Sequence, residues 1–156
     1  MYVFDTAPIS SLFRNYYRDQ FPSLWQRFDD MIAGGNIVGT RESARELEDW
    51  SNEDARKWAS DNRDLVFHVP TAEEGAFVAQ IFAVEHFQQL IEQQKLLQGG
   101  KNADPFVIAK AAVEERTVVT IEAHRPNAAK IPNICQHFDV PCVDLKGFMA
   151  VEGWVF

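Results

Sequence analysis

The chain has 156 residues, 46% hydrophobic and 24% charged, with 23 acidic against 15 basic side chains and a formal net charge of −8. That length suits a single domain over 1–156, able to remove roughly 70% of its unfolded surface from water. No apolar run approaches the roughly 20 residues that span a bilayer, and no basic stretch followed by an apolar core opens the chain, so a cytoplasmic location is expected. The negative balance argues against sequence-independent binding of long duplex DNA, where protein cations must neutralise phosphates. It leaves room for an RNA nuclease, whose acids would contribute to that total.

The opening apolar run to Phe4 reads as a short buried strand. A helix suits 9–17, and Pro22 in a first turn starts another through about Ala33, stopped by Gly34-Gly35. Asn36 to Gly39 reads as a second strand, followed by a helix over 41–50. Ser51 to Asp54 and Thr71 to Glu74 both have capping-box spacing and predict helices over 52–62 and 72–94. Leu65-Val66-Phe67 between them is a short strand or an extended connector. Gly99-Gly100 marks a loop, 105–115 a helix, and 118–121 a β-branched strand. A helix over 131–138, a last core strand at Pro141-Cys142-Val143, a short helix and an apolar tail complete the chain. Strands alternating with helices predict a three-layer α/β/α sandwich with a mainly parallel central sheet.

Four acids stand out in that frame. Asp5 ends the first strand, Glu46 lies on the helix after the second, Asp104 precedes Pro105 at a helix start, and Glu122 follows the 118–121 strand. In open α/β sheets, ligands bind outside the carboxyl ends of the strands, where acids from distant segments can converge and hold Mg²⁺ or Mn²⁺. Each acid also has a plainer explanation. Asp5 and Asp104 suit helix N-caps, Asp104 all the more with proline after it, and Glu122 suits a polar strand end. Glu42 shares a helix face with Glu46, but its first-turn position already complements the helix dipole, which favours Glu46. Other acids, such as Glu48, Asp49, Glu53, Asp54, Asp61 and Asp64, read as solvated helix faces. Trp25, Trp50 and Trp58 read as core. Cys135 and Cys142 match no zinc spacing, nor do the four scattered histidines complete one, so two reduced, partly buried thiols are expected.

The order of these segments resembles the PIN-domain nucleases, and especially the VapC-like toxins of bacterial toxin–antitoxin systems. Tyr2-Val3-Phe4-Asp5-Thr6 resembles the family's opening strand with its first metal-binding aspartate, and Glu46-Leu47 its glutamate-leucine pair. Asp104-Pro105-Phe106-Val107-Ile108-Ala109-Lys110-Ala111 is similar to its aspartate-headed helix, and Val119-Thr120-Ile121-Glu122 to its strand ending in threonine, one residue and an acid. The stretch from Lys130 to Trp154 resembles a VapC-like subfamily long treated as a domain of unknown function. Ala7 stands where the family often has Asn or Ser, and Glu122 is one methylene longer than the usual aspartate.

The resemblance implies a Mg²⁺- or Mn²⁺-dependent endoribonuclease, the toxin of a type II system, acting on RNA, restrained by a cognate antitoxin and assembled as a homodimer. Asp5, Glu46 and Asp104 would be core metal ligands and catalytic acids, with Glu122 bound directly or through water. Thr6 and Thr120 would support them by hydrogen bonds. Candidate phosphate contacts are Arg14 and Arg18, one helical turn apart, with Lys110 and Arg125. A phosphatase of the haloacid dehalogenase type would want a second aspartate at position 7, where this chain has Ala7. The remaining alternative is a binding module on the same fold with a decayed nuclease site.

Overall fold

Every side chain of β1 (Tyr2–Phe4) is buried, as befits a strand covered on both faces. In the computed structural model, which describes residues 1–89, 92 and 104–156 (Asp104 by its backbone only), β1 is the middle of a five-stranded sheet. The order is β3-β2-β1-β4-β5, with β2 at Ile37–Thr40, β3 at Phe67–His68, β4 at Thr117–Thr120 and β5 at Cys142–Asp144. All neighbouring pairs are parallel. From β1 the chain steps outward through β2 to β3, then returns to the other side of β1 as β4. The order therefore reverses between β1 and β4, and their carboxyl ends flank the resulting crevice.

Alternation along the strands divides the core in two. Tyr2, Phe4, Ile37 and Val119 face one apolar cluster, and Val3, Val38 and Val118 face the other. Five helices supply much of the first cluster: α1 (Thr6–Asn15), α2 (Pro22–Ala33), α3 (Arg41–Glu48), α4 (Glu53–Asp61) and, from the end of the chain, α9 (Leu145–Val151). A single turn, α5 (Arg63–Val66), adds Val66. The other face is covered by α6 (Ala72–Ala83), α7 (Asp104–Val113) and α8 (Ile131–His137). Helices on both faces of a parallel sheet make the three-layer sandwich expected from the alternating pattern. Phe4 packs edge-on to Phe148 at 5.0 Å, a contact that joins the central strand to the last helix.

Several boundaries differ from the sequence reading, for local reasons. The first helix begins at Thr6, not residue 9, because Asp5 caps it and Pro8 falls in the first turn, where a missing N–H costs no helical bond. It ends at Asn15, so Arg18 lies beyond it. The expected Ser51 box does not form: Asn52 is the cap, accepting the Ala55 N–H at 2.9 Å. The Thr71–Glu74 box does form, with both reciprocal bonds present. Helical structure over 72–94 is interrupted at Val84, whose backbone is extended, and resumes over 85–89. Positions 90, 91, 93 and 94 of that helix and the Gly99-Gly100 loop lie outside the described residues. The Leu65–Phe67 connector resolves into α5 followed by the two residues of β3. Gly39 pairs with Phe67 in the sheet, and a Cβ there would come within 2.8 Å of the Phe67 ring, so the close approach of β2 and β3 needs glycine. Among the described residues, no helix is long and apolar enough to cross a membrane.

Candidate functional site

Backbone pairing fixes Asp5 one residue past β1. Its N–H donates to the Val119 carbonyl at 3.0 Å, which sets Asp5 beside the end of β4. Its carboxylate then has two neighbours. Oδ1 accepts the Thr6 N–H at 2.8 Å, as an N-cap does, and Oδ2 accepts the Thr120 hydroxyl at 3.2 Å. Thr120 Oγ1 accepts in turn from the Glu122 N–H at 3.2 Å, so the turn after β4 is built around the same hydroxyl.

Asp5, Glu46 and Glu122 line one cleft of about 370 Å³, together with Thr6, Ala7, Ser10, Ser11, Arg14 and Ile121. Asp5 is only 5% exposed. Burial pushes its pKa up to about 7, and the negative charges of Glu122 and Glu46 add to the rise against the lowering hydrogen bonds from Thr6 and Thr120. Glu46 reaches the cleft from α3, which Thr40 starts by accepting the Ser43 N–H at 3.1 Å. Glu42 does not line it: one carboxylate oxygen is paired with Arg41 at 3.0 Å and the other is buried without a hydrogen-bond partner.

Glu122 is shared between the cleft and the next helix. Its Oε2 accepts the Ile131 N–H at 2.8 Å, the first of α8, and Oε1 lies 3.9 Å from the Lys130 ammonium. Lys130 at the N-cap offers no capping side chain, so an acid eight residues earlier performs that task. The Thr6 hydroxyl is buried without a hydrogen-bond partner beside this set. Among the described residues, no three His, Cys, Asp or Glu side chains stand close enough to hold a metal ion between them. Asp104 begins α7, and its side chain lies outside the described residues.

The four candidate phosphate contacts separate. Arg14 lines the cleft, with its guanidinium 5.4 Å from the centre of the Trp50 ring. Arg18 is not one turn along the same helix. It lies over Trp25 at 4.2 Å, pairs with Asp29 at 3.0 Å and borders a separate groove of about 590 Å³ between α1, α2 and α4. Lys110 is 2% exposed, 2.9 Å from Glu114 and 3.5 Å from Glu74, so its charge is spent inside the protein and it is not a phosphate contact. Arg125 sits in an exposed loop whose backbone is clasped by the Asn133 side chain.

A family model described as a domain of unknown function (DUF4411) matches residues 2–156. The chain belongs to this family. No curated protein matches it. Among solved structures, this DUF4411 chain is similar to VapBC-1 from nontypeable Haemophilus influenzae, at 15% identity over 92% of this chain and 96% of that one, with a TM-score of 0.47. It is similar to FitAcB from Neisseria gonorrhoeae at 15% identity over 91% and 96%, TM-score 0.48. VapBC2 from Rickettsia felis, bound to a DNA fragment from their promoter, matches at 15% identity over 92% and 97%, TM-score 0.47.

Of the cleft wall that α1 presents in this DUF4411 chain, the sequence pointed to Arg14 but not to Ser10 and Ser11. Ala7, Ser10, Ser11 and Arg14 follow the i, i+3, i+4, i+7 spacing of one helix face. That face begins two residues after Asp5, and the signal was present once the helix was started at Thr6.

Proposed function

We propose that this protein is a Mg²⁺- or Mn²⁺-dependent endoribonuclease and the toxin of a type II toxin–antitoxin pair. The observation that carries this reading is that Asp5, Glu46 and Glu122 line one cleft at the point where the strand order reverses, although these three alone do not close around an ion. Hard, anionic oxygens are the donors that Mg²⁺ and Mn²⁺ take. The partnerless Thr6 hydroxyl and the Asp5 carboxyl, whose pKa is raised by burial and further by Glu122 and Glu46, both fit a site completed by a cation. Asp5, Glu46 and Asp104 would hold it, with Glu122 reaching it directly or through water. Such an ion, when bound, supplies an acidified water nucleophile and neutralises charge developing on phosphate oxygens.

The rest of the task falls to the chain itself. The Thr6 N–H and the Thr120 hydroxyl hold the Asp5 carboxylate by both oxygens, which fixes its direction before substrate arrives. Arg14, on the same wall, offers a phosphodiester a guanidinium already lodged against Trp50. Arg125, in an exposed loop, is a second cation for the RNA backbone. An antitoxin restrains the enzyme, and two copies form the working unit in the cytoplasm.

Replacing Asp5 or Asp104 by Asn tests the reading, since asparagine keeps the capping geometry and removes the charge. Both variants should fold, lose the thermal stabilisation by Mn²⁺ and fail to cleave RNA, while the wild type cleaves and stops with chelator. A purified Asp5→Asn protein that cuts at the wild-type rate would defeat it. Wild type that neither binds Mn²⁺ nor cleaves RNA would leave a binding module.

A further inference from the structure

Cys135 and Cys142 take no part in the proposed reaction, yet they are built against each other. Cys135, on the buried face of α8 with Ile131 and Ile134, belongs to the second apolar cluster. Cys142 opens β5 opposite Val118 and is half-buried against the same cluster. Both are free thiols packed against the same apolar cluster, and their side chains are near enough to perturb each other's ionisation. The connection between them is short, with Asp139 in the left-handed region and the Val140 N–H donating to the Cys135 carbonyl at 2.9 Å. That turn folds α8 back onto the strand and holds the thiols in register.

We propose that Cys135 and Cys142 form a reversible dithiol–disulfide site that reacts with peroxides and, when oxidised, fastens α8 to β5. Cys142, the more accessible sulfur, attacks one peroxide oxygen; the O–O bond breaks, water leaves, and a sulfenic acid remains. The Cys135 sulfur then attacks the Cys142 sulfur, the S–S bond forms, and the S–OH oxygen leaves as a second water with the Cys135 proton. Two thiols and one hydrogen peroxide thus give one disulfide and two waters, with two electrons passing from sulfur to oxygen. Cys142 is the more exposed sulfur and Cys135 the buried one, which fits Cys142 as the attacking group and Cys135 as the resolving one.

The site adjoins the proposed active cleft, whose Asp5 and Glu122 charges reach Cys142, but its sulfur chemistry uses no residue of the cleft. Glu122 caps the same helix that carries Cys135, and Asp144, two residues after Cys142, pairs in register with Thr120. Its chemistry can therefore be read without any nuclease assay.

Reduced protein, freed of reductant and treated with a few equivalents of hydrogen peroxide, should lose both thiols together. Its intact mass should fall by two hydrogens, and peptide mapping should recover one link, Cys135 to Cys142, within a single chain. Dithiothreitol should restore both thiols. Because the bridge closes a short loop, the oxidised form should melt about 5 °C higher than the reduced one. In Cys135→Ala, dimedone should trap a sulfenic acid at Cys142 and the melting shift should vanish. Cys142→Ala should leave Cys135 unreactive at the same dose. Oxygen adducts without a link, a disulfide between chains, or two intact thiols after about tenfold peroxide would each overturn the proposal. Should Cys135→Ala fail to fold by circular dichroism, the wild-type peptide map decides alone.

Discussion

Asp5 is nearly sealed from water, yet it is an acid with two other acids beside it. The Thr6 N–H and Thr120 hydroxyl stabilise its charge, but burial and the charges of Glu122 and Glu46 outweigh them and leave the pKa at about 7, against 3.8 for a free side chain. The native protein therefore holds a proton on Asp5 that the unfolded chain releases, from near pH 4 to near pH 7. The stability this lends is complete below about pH 4 and is lost as pH rises through about 7. In chelator, Asp5→Asn should match the wild type near pH 4 and be more stable by about 2 kcal/mol near pH 8. Urea unfolding at the two pH values checks this, and an unchanged difference would show that Asp5 ionises normally. Saturating Mn²⁺ should reverse the ranking near pH 8, because only the wild type keeps the anionic ligand.

At the scale of elements, Glu122 links the end of β4 to the start of α8. Two readings of this acid, polar end-group and proposed ligand, stand side by side, since one oxygen caps α8 while the residue borders the cleft. They separate by substitution. Glu122→Gln retains an acceptor for the Ile131 N–H and should melt like the wild type while losing part of its activity. Glu122→Ala removes the acceptor as well and should cost about 1 kcal/mol of stability in addition. Equal stability of the two variants would mean that the Ile131 bond contributes nothing. The helix starts were readable where the cap is local, as with Thr71 and Glu74. The start of α8 at Ile131 was readable too, but its cap was not, because the capping acid comes from before a loop.

Across the whole molecule, charge is buried in a second place, remote in sequence from Asp5. Glu74 on α6, Lys110 on α7, and Glu114 and Arg116 just beyond it form a chain of ion pairs that ends on the Gly35 carbonyl before β2. The network joins two helices of one layer to the turn that feeds the sheet. Lys110→Met would leave the buried Glu74 carboxylate without its cation, and Glu114 with Arg116 alone, and should destabilise the protein by about 3 kcal/mol. A phosphate contact would instead show normal stability and weaker RNA cleavage, so urea unfolding of Lys110→Met distinguishes the two directly.

Short apolar strands, an acid after β1 and alternating helices were legible in the chain because they depend on neighbours within a few residues. Periodicity and caps gave the layered parallel sandwich. The four acids could be named from sequence order and family resemblance, and Glu46 preferred over Glu42 from its place in the helix. Which charges meet was beyond that reading. Lys110 and Arg14 look alike as isolated cations on helices, and only packing against Glu74 and Glu114 draws one inside while the sheet's reversal leaves the other on the cleft. Local sequence sets propensities over a turn or a strand. Burial, pairing and the shift of Asp5 toward neutral pH arise from contacts across more than a hundred residues, such as Asp5 with Thr120, and exist only once the sheet has formed.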